Sequence, residues 1–369
     1  MNHSQKLETL RKELNDSFPE RTREIDSILA CVIVRQNVFL GGPPGTAKSR
    51  LAEAICKAFS GAYFKYQFHS QSTFSEVFGG RDLDAAKNGT VRFNTTGKLP
   101  ESSIALLDEI FKAHSVLQSL LGSLEEHEFN SLPIPLNCAI GTSNELPTET
   151  DLEALFDRFI PRHWVSYCRD PQNIKAIMTG FKGGNVAQSI DPADLAAIRN
   201  DARAIKLDPA TLDLIIEIKT QLEKQGFVSS DRRWRKIIDL LRAYVVIDGK
   251  QQIDEDTISD RLTDLLWRET TDRPQIDQII KRLANPNAAA AQEIIDEAEE
   301  LIRNTPAAEG KNDPKYLAAI AQNKTDLEKM AGKLLPLGKT RPVETARERL
   351  AELDQENNRN LARALGMAV

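Results

Sequence analysis

The stretch NVFLGGPPGTAKSRLAEAICKAF, residues 37–59, constrains this chain more than any other. A short apolar run ends at Gly41-Gly42, and Pro43-Pro44-Gly45 turns the backbone, since neither a strand nor a helix runs through two prolines. From Thr46 onward the apolar residues Leu51, Ile55, Ala58 and Phe59 recur at helical spacing. A strand, a Gly/Pro turn and an amphipathic helix in succession make a corner with a helix N-terminus at the loop. Free N–H groups and a partial positive charge collect there, and a phosphate is stabilised by both. Lys48 can reach β- and γ-phosphates, and the Ser49 hydroxyl can ligate Mg²⁺. Counted from Gly42, the pattern G-x-x-x-x-G-K-[ST] fails at one position, where glycine is replaced by Ala47. Ala47 is expected in the right-handed opening turn of the helix, which suits alanine, so the loop reads as working rather than decayed. Gly42, Pro43, Pro44, Gly45, Thr46, Ala47, Lys48 and Ser49 are the candidate nucleotide-binding set.

Later segments repay the same reading. SIALLDEI is a buried strand with Asp108 and Glu109 at its C-terminal end, and PLNCAIGTSN is another that ends in Asn144. In a parallel sheet the C-terminal strand ends form the ligand edge, so these groups should face the same crevice as the loop. Asp108 would hold Mg²⁺, Glu109 would orient and activate a water, and Asn144 could hydrogen-bond the γ-phosphate or that water. AYFKYQF alternates like a strand, Asn88-Gly89 in KNGTVRF reads as a hairpin turn, and RTREIDSILACVIVR and SVLQSLLGSLEE read as helices. Strands and helices thus alternate from about 20 to 170, as in an α/β domain.

Beyond about 171 the strand signals fade. PATLDLIIEIKTQLEKQ and SDRRWRKIIDLLRAYVVIDG read as helices with proline or serine at their starts. The segment 274–369 is rich in Ala, Glu and Arg, with helical patterning on both sides of a linker-like NTPAAEGKNDP. The expected organisation is 1–170, 171–273 and 274–369. Arg158 and Arg162 in ALFDRFIPRHW, and Arg232, Arg233 and Arg235 in SSDRRWRK, are cationic clusters; the second lies where a helix start favours acids, so an anionic partner would help explain it.

No apolar run reaches the roughly 18–20 residues of a membrane span, and MNHSQKLETLRKELND lacks a signal-peptide core, which makes the cytoplasm the expected location. Cys31, Cys56, Cys138 and Cys168 lack disulfide-framework or zinc-site spacing. A net charge of −6 does not advertise nucleic-acid binding.

GGPPGTAKS, LLDEIFKA, GTSNELP, EALFDRF and SDRRW, in this order, resemble an AAA+ ATPase of the MoxR family, most closely its RavA-type branch, over about residues 5–270. The resemblance implies a P-loop α/β core with a parallel sheet, a helical lid, and here a helical C-terminal extension. FSEVFGGRDLDAAKNGTVRFNTTGKLPES would supply the family's insertion after the second core helix, and HEFNSLPIPLNC a hairpin before the Asn144 strand. It makes Lys48 and Ser49 ligands of ATP or ADP and Mg²⁺, Asp108 and Glu109 the Walker B acids, and Asn144 sensor 1. Arg158 becomes the trans-acting arginine finger, with Arg162 the alternative, and Arg232 sensor 2, with Arg233 the alternative. FPERTREI places Glu20 and Arg21 on the adenine side. It further implies a hexameric, chaperone-like remodelling ATPase acting on a protein client with a von Willebrand A-domain partner. A nucleic-acid motor or loader and a slow nucleotide-switched scaffold are the competing readings.

Overall fold

The structure, a computed structural model, describes residues 2–180, 186–306, 313–338 and 341–365. Five strands form one parallel sheet: β1 (Asn37–Gly41), β2 (Tyr63–Gln67), β5 (Ile104–Asp108), β8 (Cys138–Ser143) and β9 (Phe159–Trp164), in the order β2-β5-β8-β1-β9. The inner strands β1, β5 and β8 are almost continuously apolar because helices cover both faces of such a sheet. Residues Val38, Phe39, Leu40, Ala105, Leu106, Leu107, Ala139 and Ile140 are fully buried.

β9 lacks an apolar-run signature, because Pro161, Arg162 and His163 interrupt it, yet all three are buried. It is an edge strand, and its register against β1 slips so that Asn37 faces Phe159 while Phe39 faces Arg162. Pro161 falls in that irregularity, where a missing N–H is tolerated.

Around the sheet lie α1 (His3–Ser17), α2 (Thr22–Val34), α3 (Lys48–Ala58), α6 (Leu117–Glu126) and α7 (Thr150–Phe156). Then follow α8 (Pro171–Met178), α9 (Pro192–Ala204), α10 (Pro209–Lys224) and α11 (Asp231–Ile247), and α12 (Glu255–Arg261) closes the series; α13 (Arg273–Ala284) runs from the first compact unit of the chain into the second. Asp170, Asp191 and Asp208 each precede a proline at the first helical position and accept backbone N–H bonds from the turn that follows. The carboxylate satisfies donors the helix leaves free, and proline has no N–H to orphan.

Two insertions leave this frame. One comprises α4 (Phe74–Phe78), β3 (Gly80–Arg81), α5 (Leu83–Lys87) and β4 (Phe93–Asn94); the other is the hairpin β6 (Glu128–Phe129) and β7 (Leu132–Pro133). Asn88-Gly89 therefore does not make a two-residue hairpin: it ends α5, which lies between the paired strands β3 and β4. Phe74, Phe78, Phe93 and Phe129 join both insertions in one aromatic cluster, with ring centroids 5.1 to 6.1 Å apart.

The chain divides into two compact units, residues 1–276 and 277–369. The second contains α14 (Pro286–Arg303), α15 (Pro314–Leu334) and α16 (Arg341–Ala364) around a core that includes Ile294, Ile295, Leu327, Met330, Leu350 and Leu353. The linker-like 304–314 lies largely outside the described residues.

Candidate nucleotide site

The register of the sheet brings the chemistry to one edge. Gly41 of β1 lies opposite Ser143 of β8, and Thr142 of β8 lies opposite Asp108 of β5. The strand that leads to Asn144 therefore separates the loop strand from the acidic strand. Ser49 Oγ donates to Asp108 Oδ2 at 3.1 Å, and Thr142 Oγ1 donates to the other carboxylate oxygen. Two hard oxygen donors so close together suit Mg²⁺, which favours carboxylate and hydroxyl oxygens.

Lys48 Nζ donates to the Gly42 carbonyl at 2.6 Å, the Pro43 carbonyl at 2.9 Å and Asn144 Oδ1 at 3.2 Å. Asn144 Nδ2 in turn donates to Glu109 Oε1 at 2.8 Å. Lys48, Asn144 and Glu109 are thus one hydrogen-bonded chain. Burial lowers the Lys48 pKa, opposed by the negative charges of Asp108 and Glu109.

Backbone strain marks the same edge. Glu109 has φ +52° and ψ +45°, left-handed values that a side chain seldom adopts. Gly42 has φ +137°, and a Cβ there would lie 2.2 Å from the Val165 carbonyl oxygen, so only glycine fits. Ala47 departs from the sequence expectation. It is the residue before α3, at φ +66° and ψ +18°, and not part of the right-handed first turn. Its position favours glycine, at a cost to alanine of roughly 1–2 kcal/mol.

A cavity of about 480 Å³ adjoins the loop, lined by Phe18, Arg21, Thr46, Ala47, Tyr167, Ile174 and Met178 among others. It has the size and mixed apolar and polar walls of a small-molecule site. Arg21 is buried and donates to the Glu20 and Ser166 carbonyls. Glu20 does not line this cavity. Its carboxylate accepts from the Arg169 and Asp170 amides and from Asn173 Nδ2, and the Asn173 contact contributes most to lowering its pKa.

The arginines separate into two groups. Arg162 is 1% exposed and donates to the Phe159, Phe156 and Trp267 carbonyls while its guanidinium covers the Phe156 ring at 3.9 Å. It holds β9 to the segment around Trp267 and has no free face for a neighbouring subunit, which corrects the alternative finger reading. Arg233 is likewise enclosed, donating to the Leu265 and Ile160 carbonyls and pairing with Asp157. Burial pushes it down to about 10, and the alternative sensor 2 reading does not fit it either.

Arg158 and Arg232 instead converge on Glu125 at the end of α6, at 3.9 and 3.4 Å, with Lys236 Nζ at 2.8 Å. Asn37, at the start of β1, donates to the carbonyls of both Leu124 and Arg158, which puts this cluster at the edge where strands begin. Arg232 is therefore not brought to its own chain's Lys48. Lys236 is the member of this cluster that the sequence reading missed; its place one helical turn after Arg232 was the available signal.

A parallel sheet with an Asn-bearing strand between the loop strand and the acidic strand, followed by a helical lid, defines a P-loop protein of the AAA+ class. The chain belongs to the MoxR family within that class. Residues 5–200 match the family described as the MoxR domain in the MoxR-vWA-beta-propeller ternary systems, and residues 210–280 match the AAA lid domain. Among curated relatives, the uncharacterized protein MJ0812 of Methanocaldococcus jannaschii is 33% identical over 295 residues, covering 78% of each chain. The chaperone MoxR1 of Mycobacterium tuberculosis is 22% identical over 265 residues, covering 66% of this chain and 69% of that one. A crystal structure of a candidate ATPase from Cytophaga hutchinsonii shares the fold, with a TM-score of 0.61 at 17% identity, over 76% of this chain and 94% of that one. Among the described residues no helix is long and apolar enough to cross a membrane.

Proposed function

We propose that this protein hydrolyses ATP with Mg²⁺ at the Lys48–Glu109 edge and uses the reaction, as a hexameric ring in the cytoplasm, to remodel a protein client in a chaperone-like manner. The observation that carries this reading is the hydrogen-bonded chain Lys48–Asn144–Glu109 beside the Ser49–Asp108 pair. Lys48 neutralises phosphate charge, Glu109 takes the proton of the attacking water, and Asn144 fixes Glu109 relative to the γ-phosphate. Ser49 and Asp108 would hold Mg²⁺, which would supply charge stabilisation for the transferring phosphoryl group. Gly42, Gly45, Thr46 and Ala47 would offer backbone N–H groups to the phosphates, the two prolines between them having none, and Arg21 borders the base-side cavity.

Arg158 and Arg232 lie away from their own chain's loop, so we assign both to the neighbouring subunit's nucleotide: Arg158 as finger and Arg232 as sensor 2. Such trans contacts require a head-to-tail interface, which closes into a ring. The matched family's description supports a von Willebrand A-domain partner. The motifs GGPPGTAKS and SDRRW support a place near the RavA-type branch. We divide the chain functionally into a core over 1–170, a lid over 171–273 and a helical extension over 274–369 that serves packing or partner contact.

Mixing tests the reading. Glu109→Gln and Arg158→Ala chains should each be nearly inactive alone and recover part of the ATPase activity when combined, because mixed interfaces pair an intact Glu109 with an intact Arg158. Full activity of a monomer at every concentration would overturn the trans assignment.

A further inference from the structure

A second cationic site lies between the end of α2 and the helices α9 and α11. Four arginines, Arg35, Arg199, Arg203 and Arg242, line a cavity of about 120 Å³ with one carboxylate, Asp239. Two of the four have local duties. Arg35 donates to the Ile134 and Leu136 carbonyls, and Arg199 to the Val32 and Ile33 carbonyls and Asn137 Oδ1. The carbonyl end of α2 accounts for cations there. It does not account for Arg203 on α9 or Arg242 on α11, neither of which donates to an α2 carbonyl among the described residues. Arg242 Nη1 donates to Asp239 Oδ1 at 3.0 Å, while its buried Nε has no hydrogen-bond partner among the described residues. The charges also oppose one another: Arg199 is pushed down by burial and then by its neighbours Arg35 and Arg203.

A buried N–H left unpaired costs about 1–3 kcal/mol, and like charges around one cavity add to that. An oxyanion in the cavity would relieve the second of these, and guanidinium forks match tetrahedral oxygens. The cavity is smaller than the ~300 Å³ lower end for drug-sized ligands, which leaves no room for a base and sugar. We propose that this cavity is a binding site for a single phosphoryl group, taken either as free phosphate or as the end of a longer phosphate chain. Bound there, the anion ties the end of α2 to α9 and α11. The site is independent of the ATPase reading.

The test is calorimetric titration of the full-length Lys48→Ala chain with orthophosphate and with tripolyphosphate at matched ionic strength; the Lys48 substitution removes the loop as a competing site. Saturable one-to-one binding is expected, weakened at least tenfold by Arg203→Ala and by Arg242→Gln and partly restored by Arg203→Lys. Arg203 is exposed, so its substitution leaves the fold intact even if Arg242→Gln does not. Equal affinities for the two probes identify free phosphate as the occupant, and tighter binding of tripolyphosphate identifies a chain end. Absence of saturable binding by either probe, or binding indifferent to Arg203→Ala, overturns the proposal.

Discussion

Asn144 Nδ2 lies 2.8 Å from Glu109 Oε1, while the Oδ1 of the same carboxamide accepts from Lys48. One amide thus fixes the spacing between the Lys48 ammonium and the Glu109 carboxylate. Asn144→Asp keeps the size but loses the donor and places a second negative charge beside Glu109. We expect kcat to fall by about 10²–10⁴, the range for losing a positioned acid or base, with nucleotide affinity changed far less. Steady-state turnover alongside equilibrium nucleotide binding separates the two; equal losses in both would contradict the positioning role.

Ala47 invites a substitution that should help folding. Ala47→Gly removes the left-handed strain at φ +66° and adds unfolded-state freedom. The strain relieved, roughly 1–2 kcal/mol, exceeds the entropic loss of up to ~1 kcal/mol. Denaturant unfolding should show a small net gain, and a clear loss would mean that Ala47 is not left-handed in solution.

The arginines divide by what their loss would disturb. Arg162→Ala strips three buried carbonyls of their donor, and each orphaned group is costly, on the order of 1–3 kcal/mol. A melting temperature lowered by many degrees is expected. Arg158→Ala should leave melting nearly unchanged and abolish turnover. Identical thermal behaviour of the two variants would refute this division.

His127 ties stability to pH. It follows α6 at φ +54°, its Nε2 lies 3.2 Å from the Arg35 carbonyl, and burial, aided by Arg35, pushes its pKa down to about 4. The unfolded imidazole, near 6.5, binds a proton that the folded one refuses, so between pH 6.5 and 4 the unfolded state holds more protons. Its contribution is therefore complete above pH 6.5 and is lost as pH falls through 4. His127→Gln should flatten the acid limb of the stability curve by on the order of 2 kcal/mol after allowance for solvent screening. Parallel curves for the two proteins would exclude His127 as a source.

The site was legible in the sequence because strand ends announce it. IALLDE and CAIGTSN are apolar runs that stop on polar groups, and the sheet register then sets Asp108 and Asn144 beside the loop. The proline start of α10 was equally plain, whereas the Asp-Pro starts of α8 and α9 were not read. β9 was not, because its polar residues are buried by contacts far along the chain, such as Arg162 with the Trp267 carbonyl. Ala47 was misread for a related reason. A residue's φ depends on where the helix begins, and the helix begins at Lys48, two residues later than spacing implied. Which arginine was free and which enclosed depended on residues 73 to 105 positions away, Ile160 for Arg233 and Trp267 for Arg162, beyond the reach of local pattern.

None of the residues of α8 is buried, although Ile174, Ile177 and Met178 wall the cavity next to the loop. Its place is set by polar bonds at its first turn, from Asp170 and from Glu20, whose carboxylate is held low in pKa by those same bonds. A wall fastened this way has a latch with its own chemistry. The hydrogen bonds that Glu20 makes to the Arg169 and Asp170 amides and to Asn173 are separate from the apolar contacts of the core. The wall of the cavity and the core of the fold are thereby held by different kinds of interaction.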